Sequence, residues 1–170
     1  MIGALLSATT LLGGLTSSMP PAEQWEVSAR AAAGSGVSVS GTGREVLKRR
    51  SPLTLNLGVG FRHPQWSWLE LCPGIQLEMQ GKASFAFRPV LRAYLPTRRP
   101  TVHGLVGAPL YVFPFTLHGV EVGFGVAYPL AHHVALTAEA SATAFVGGSD
   151  LMTGSGLTKL DVAGGIRVSF

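Results

Sequence analysis

The chain has 170 residues, 46% of them hydrophobic and only 13% charged, with a formal net charge of +4, 22 glycines and 11 prolines. It is too apolar for a disordered segment, too poor in charge for a soluble domain of this length, and too rich in Gly and Pro for long helices. No apolar run reaches the roughly 18 residues that a membrane helix needs, so membrane-level hydrophobicity leaves a closed β-barrel as the way to satisfy every backbone group in lipid.

Residues 1–22 read as a secretory leader, with an apolar centre followed by small residues, although no Lys or Arg stands at its start. The alternative is a short apolar helix that stays attached. Removal of the leader leaves one domain, 23–170, of about 150 residues, enough for eight membrane strands of roughly 9–11 residues each.

Eight segments then alternate with period two, a pattern that a helix cannot imitate. The first, 25–33, sets Trp25, Val27, Ala29, Ala31 and Ala33 on one face. The second, 53–62, is the clearest, with Leu53, Leu55, Leu57, Val59 and Phe61 against Thr54, Asn56, Gly58, Gly60 and Arg62. The third, 66–80, aligns Leu69, Leu71, Ile75, Leu77 and Met79, with Pro73 interrupting the ladder. The fourth, 84–95, carries Phe85, Phe87, Leu91 and Leu95. The fifth, 101–113, carries Val102, Val106, Ala108, Leu110 and Val112 and is the least regular. The sixth, 119–128, gives Val120, Val122, Phe124, Val126 and Tyr128. The seventh, 132–146, gives Val134, Leu136, alanines at 138, 140, 142 and 144, then Val146. The eighth closes the chain, with Leu160, Val162, Gly164, Ile166, Val168 and Phe170 opposite Asp161, Ala163, Gly165, Arg167 and Ser169.

Glu26, Arg30, Arg62, Glu70, Glu78, Arg88, Arg92, Glu121, Glu139, Asp161 and Arg167 lie within these segments, and all fall opposite the apolar rows. Five are basic and six acidic. Such a near-neutral set suits a narrow closed interior, where an unpaired ion is very costly. The expectation is therefore apolar rows toward lipid and a salt-bridged lumen, because an eight-stranded barrel is just wide enough to be filled by side chains. Cys72 has no second cysteine to pair with and reads as a small lumen residue.

Aromatic residues sort toward segment ends. Trp25, Phe61, Trp66, Trp68, Tyr94, Tyr128 and Phe170 fall at the end that holds both termini. Phe85, Phe87, Phe113, Phe115 and Phe145 fall at the other, so that two interfacial belts border an apolar band. Connections 34–52 and 147–158 are long and rich in Gly and Ser, whereas 63–65, 96–100 and 129–131 are short, the asymmetry of outer loops and inner turns. Those at 81–83 and 114–118 are short outer exceptions.

A last strand that ends on Phe170, with Val168 before it and Gly165 five places from the end, resembles the C-terminal signal of bacterial outer-membrane β-barrels. In that family the terminal strand is what the envelope's assembly machinery recognises. The whole of 23–170 is similar in pattern to the small eight-stranded barrels of the OmpA/OmpX type. The resemblance implies an all-β, antiparallel up-and-down transmembrane barrel in the cell outer membrane. Outer-membrane lipid, the assembly machinery and other envelope proteins are its candidate partners.

Some barrels of this membrane are lipid A deacylases or acyltransferases, and the deacylases use Ser, His and Glu with the histidine and serine two residues apart. His132 and His133 have no serine at that spacing, and Glu139 and Ser141 lie deep in the seventh segment, so no catalytic residue is assigned. Carboxylates such as Glu70 and Glu78 read as partners of the arginines. His63, His103, His132 and His133 gather toward the terminal rim without the convergent ligands that a metal needs, and no metal or cofactor is expected. The basic cluster Arg44, Lys48, Arg49 and Arg50 lies in the first long connection, where it would face lipopolysaccharide phosphates. Nucleic acid is not expected, since the cluster is short and no aromatic platform interleaves with it. The reading is a non-enzymatic barrel with a filled lumen and a structural or interaction role through 34–52 and 147–158. Two alternatives stand beside it: a lipid A-modifying barrel enzyme, and a secreted soluble barrel whose apolar rows turn inward on an apolar ligand.

Overall fold

Period-two alternation becomes strand along nearly the whole chain in the computed structural model, which describes residues 25–42, 45–79, 83–96, 99–149, 151 and 155–170. The expected leader lies outside the described residues. The strands are β1 (Glu26–Thr42), β2 (Glu45–Arg50), β3 (Thr54–Arg62), β4 (Leu69–Cys72), β5 (Gly74–Glu78) and β6 (Ser84–Phe87). They continue as β7 (Val90–Tyr94), β8 (Thr101–Gly107), β9 (Leu110–Phe113), β10 (Leu117–Pro129), β11 (Val134–Gly148) and β12 (Ser155–Ser169). No helix among the described residues is long and apolar enough to cross a membrane.

These strands make eight staves, because β2 continues into β3, β4 into β5, β6 into β7 and β8 into β9. Every pairing is antiparallel, and β1 pairs with both β12 and β3, from Ser28↔Ser169 on one side and Glu26↔Arg62 on the other. The sheet therefore closes on itself, as an eight-stranded antiparallel up-and-down barrel. Closure leaves no open edge at membrane depth.

Each of the four split staves has a proline at its break: Pro52, Pro73, Pro89 and Pro109. Proline has no N–H to donate to the ladder. Its carbonyl still accepts, at Pro73 from Val59 N (3.0 Å), at Pro89 from Ala108 N (3.1 Å) and at Pro109 from Gly119 N (3.1 Å). Inside–outside parity survives the breaks at Pro73, Pro89 and Pro109, with Cys72 and Gln76, Ala86 and Val90, and Leu105 and Tyr111 all buried. It shifts at Pro52, where Arg50 and Leu55 both face outward.

The apolar rows face outward. Val122 is 53% exposed and Ile166 49%, while Glu70 and His103 are fully buried. An apolar-lined soluble barrel requires the reverse, so that alternative does not hold. Trp25, Phe61, Trp66, Trp68, Tyr128 and Phe170 stand exposed at the terminal rim, and Phe87 and Phe113 toward the loop rim. His63 sits between Trp25 and Trp66 there, its ring 4.9 and 5.8 Å from theirs.

Three expectations change. Segments 34–52 and 147–158 are mostly strand rather than loop: β1 runs on to Thr42, β2 pairs with its far half from Val37↔Arg50 to Thr42↔Glu45, and β12 begins at Ser155. The alternation Val37-Ser38-Val39-Ser40 is an ordinary strand pattern masked by its glycine neighbours. Tyr94 does not belong to the belt, since it shares parity with Arg92 and points into the lumen. Phe145 likewise points inward, where it packs with Ala86, Tyr111 and Leu117 in an apolar plug at the loop end, with Phe115, Leu151 and Leu157 against it.

Candidate functional site

The lumen is the most chemically dense part of the molecule, and its ion pairs stack in layers from the terminal rim to the loop rim. At the terminal rim Glu26 accepts from Arg62 (3.0 Å) and Arg167 (2.7 Å), and the Arg62 guanidinium lies 4.3 Å from the centre of the Tyr94 ring. Next, Glu70 accepts from Ser28 (2.7 Å), Arg30 (3.2 Å) and the Tyr94 hydroxyl, which also accepts from Arg30. Mid-barrel, Glu139 accepts from Arg30 (3.1 Å) and, through both oxygens, from Arg92 (2.9 and 3.2 Å), with His103 Nε2 3.0 Å away. Arg88 and Glu121 form a two-bond pair at 2.9 and 2.7 Å. Toward the loop rim Lys159 Nζ lies 2.8 Å from Glu78 and 3.2 Å from Asp161, and Glu78 also accepts from Ser84 and Tyr111.

All eight staves contribute to this network, which spans the barrel through its interior instead of along the sheet. Lys159 joins the network from β12, although it is not among the charged residues that the sequence pattern assigns to the lumen. It shares parity with Asp161 and Arg167, and that was the available signal. Its inclusion turns five basic residues into six against six carboxylates, so among the described residues this lumen network is formally neutral. Neutrality has a physical cause, because a surplus ion in a water-poor interior costs several kcal/mol, ~3–5 when a partner is removed.

His103 also departs from expectation. It is fully buried in the lumen beside Tyr94 and Glu139, whereas His132 and His133 are exposed at the terminal rim. Its Nδ1 has no partner, whereas a nucleophile-activating histidine needs a hydroxyl within hydrogen-bond reach there. Glu139, beside it, is held by two arginines. Among the described residues no three His, Cys, Asp or Glu side chains converge as a metal site. Cys72 is buried and inward-facing.

The second chemical feature is the basic outer edge. Arg44 lies outside the described residues. Lys48, Arg49 and Arg50 are exposed on β2, which pairs with β1 alone. Register places Lys48 opposite Val39 and Arg50 opposite Val37, on the outward face, and Arg49 opposite Ser38 on the inward one. The terminal strand carries Gly165, Val168 and Phe170; Gly165 packs under β1, where a Cβ would meet Ala31 O at 2.2 Å, and Phe170 N donates to Val27 O at 2.8 Å.

An apolar exterior, a neutral ion-paired interior and ring closure define a transmembrane β-barrel of the outer-membrane class. Its fold is that of the small OmpA/OmpX-type barrels. Among solved structures it is similar to Neisserial surface protein A, with 15% identity and a TM-score of 0.56 over 86% of this chain and 97% of that one. It is similar also to Ail, the attachment invasion locus protein of Yersinia pestis, with 10% identity and a TM-score of 0.54 over 85% of this chain and 99% of that one. No protein-family model and no curated protein sequence matches the chain.

Proposed function

We propose that this protein is a non-enzymatic outer-membrane barrel that works at its outer surface, with Lys48 and Arg50 contacting lipopolysaccharide phosphates. The observation that carries the reading is the register of β2. Both cations sit on the lipid-facing side, directly against Val37 and Val39, where the apolar band gives way to headgroups. Arg and Lys donate charge-assisted hydrogen bonds to phosphate oxygens, each worth about 1.5–3 kcal/mol. Arg49, exposed on the same strand, adds to the same field. Ion pairs filling the lumen and an apolar plug at its loop end, among the described residues, favour surface interaction over transport. Other envelope proteins are further candidate partners for the projecting β1–β2 hairpin, and Gly165, Val168 and Phe170 would present the terminal strand to the assembly machinery.

Lipopolysaccharide binding by the refolded barrel, with and without K48E/R50E, tests the reading. Binding that weakens about tenfold or more and weakens with salt is expected, since each lost phosphate contact is worth about 1 kcal/mol or more. Unchanged binding overturns the assignment of these residues. Release of acyl chains from lipid A by the wild-type barrel would overturn the non-enzymatic reading, and stepwise ion conductance in a planar bilayer would overturn the closed lumen.

A further inference from the structure

Among the described residues the lumen holds a partly open cavity of about 160 Å³ between the apolar plug and the Lys159–Glu78 pair. Its walls are Tyr111, Phe115, Phe145 and Leu157, and its polar end is formed by Lys159 and Ser51. We propose that this cavity binds a small uncharged molecule of about one aromatic ring carrying a hydroxyl, a phenol or an aryl alcohol. This goes beyond the lipopolysaccharide reading and does not depend on it.

Size sets the body of the ligand. An apolar protein cavity of about 150 Å³ accepts benzene. Three aromatic walls favour a ring, whose edge and face they can both meet; Tyr111 and Phe145 already stand edge-to-face at 5.6 Å. The polar end sets the headgroup. Ser51 is buried, its backbone N–H donates to Gly36 O, and its hydroxyl has no hydrogen-bond partner. An ammonium has three donors, and Lys159 directs two of them at Glu78 and Asp161. One lysine proton therefore remains to meet a ligand oxygen, and the unpartnered Ser51 hydroxyl, sealed from the cavity in this rotamer, must turn toward it to accept from or donate to the same oxygen.

Charge is disfavoured in either sign. A carboxylate would approach Lys159 against Glu78 and Asp161, which already outnumber it. An ammonium would displace or oppose Lys159 itself, and both oxygens of Glu78 are taken by Lys159, Tyr111 and Ser84. A hydroxyl avoids both costs.

The experiment uses the barrel reconstituted in lipid nanodiscs, with 4-fluorophenol as probe and fluorine NMR as readout. Saturable binding is expected, with fluorobenzene, 4-fluorobenzoate and 4-fluorobenzylamine each at least about tenfold weaker, the range set by one buried hydrogen bond or one misplaced charge. Leu157→Trp, which fills the cavity, abolishes saturable binding, and the non-saturable remainder measures uptake by lipid. Ser51→Ala removes only the hydroxyl and lowers affinity for 4-fluorophenol while leaving that for fluorobenzene unchanged; it decides the matter if Leu157→Trp does not fold. Uptake that is non-saturable in the wild type, equal affinity for phenol and fluorobenzene, or equal affinity in wild type and Ser51→Ala would overturn the proposal.

Discussion

Lys159 Nζ lies 2.8 Å from Glu78 Oε1, so β12 and β5, three staves apart around the ring, are joined through the lumen. The same ammonium holds Asp161 at 3.2 Å. One cation thus serves as counter-ion to two carboxylates just beneath the apolar plug. K159M leaves both of them without a counter-ion in a buried setting and is expected to cost about 3–5 kcal/mol of barrel stability. Adding E78Q and D161N to it recovers most of that loss, because the stranded charges are gone. Urea unfolding in lipid, followed by tryptophan fluorescence, reads both; equal stability of K159M and wild type would show the pair to be hydrated and of little consequence.

A second prediction concerns space and not charge. A Cβ built on Gly60 would come within 2.0 Å of Glu70 Oε1 and 2.5 Å of Ser28 Oγ, so glycine is what lets the carboxylate cross the lumen to its partners. G60A forces Glu70 off its hydrogen bonds and is expected to destabilise by about 1–3 kcal/mol. Gly104, whose added Cβ meets nothing within 4 Å, is the control. G104A should stay within about 0.5 kcal/mol of wild type in the same unfolding experiment.

Strand parity explains why so much was legible from residues alone. Two-residue periodicity survives the breaks at Pro73, Pro89 and Pro109, so within those staves a side chain's number tells which way it points even where pairing details are hidden. Glu26, Arg30, Glu70, Glu78, Arg88, Arg92, Glu121, Glu139, Asp161 and Arg167 all lie in the lumen for that reason. Errors arose where parity was set aside for a different habit. Tyr94 and Phe145 were placed by the preference of aromatics for strand ends, although their parity already turned them inward. The 34–42 stretch reads as loop by composition, since Gly and Ser suggest a connection even when valines alternate between them. The partners inside the lumen were not legible at all: which arginine meets which carboxylate depends on stagger between staves, and a sequence carries no direct mark of stagger.

Tyr94 gives a test of that correction. Its hydroxyl bonds both Arg30 and Glu70, and its ring lies under Arg62. Y94F keeps the ring and removes the hydroxyl from a buried charged cluster, for an expected loss of about 1–3 kcal/mol. Y94L also removes the ring face and should lose roughly 0.5–2 kcal/mol more. A belt tyrosine would tolerate either change with little loss, so neutral Y94F would return this residue to the rim.

Orientation relative to lipid admits the most direct test, because an arginine reports the depth of the position that carries it. Val122 lies mid-strand on β10, exposed and paired with Ala142 of β11. Val146 faces outward too but stands near the end of β11, toward the loop rim. On the lipid face of a barrel an arginine costs about 2–4 kcal/mol at the midplane and about 0–1 near an interface. V122R is therefore expected to lose that larger amount and V146R almost none, measured as folding free energy into bilayers of fixed thickness. The difference should shrink in thinner bilayers, where the mid-strand guanidinium reaches headgroups more easily. Equal, small losses at both positions would mean that water, not acyl chain, covers the outer face.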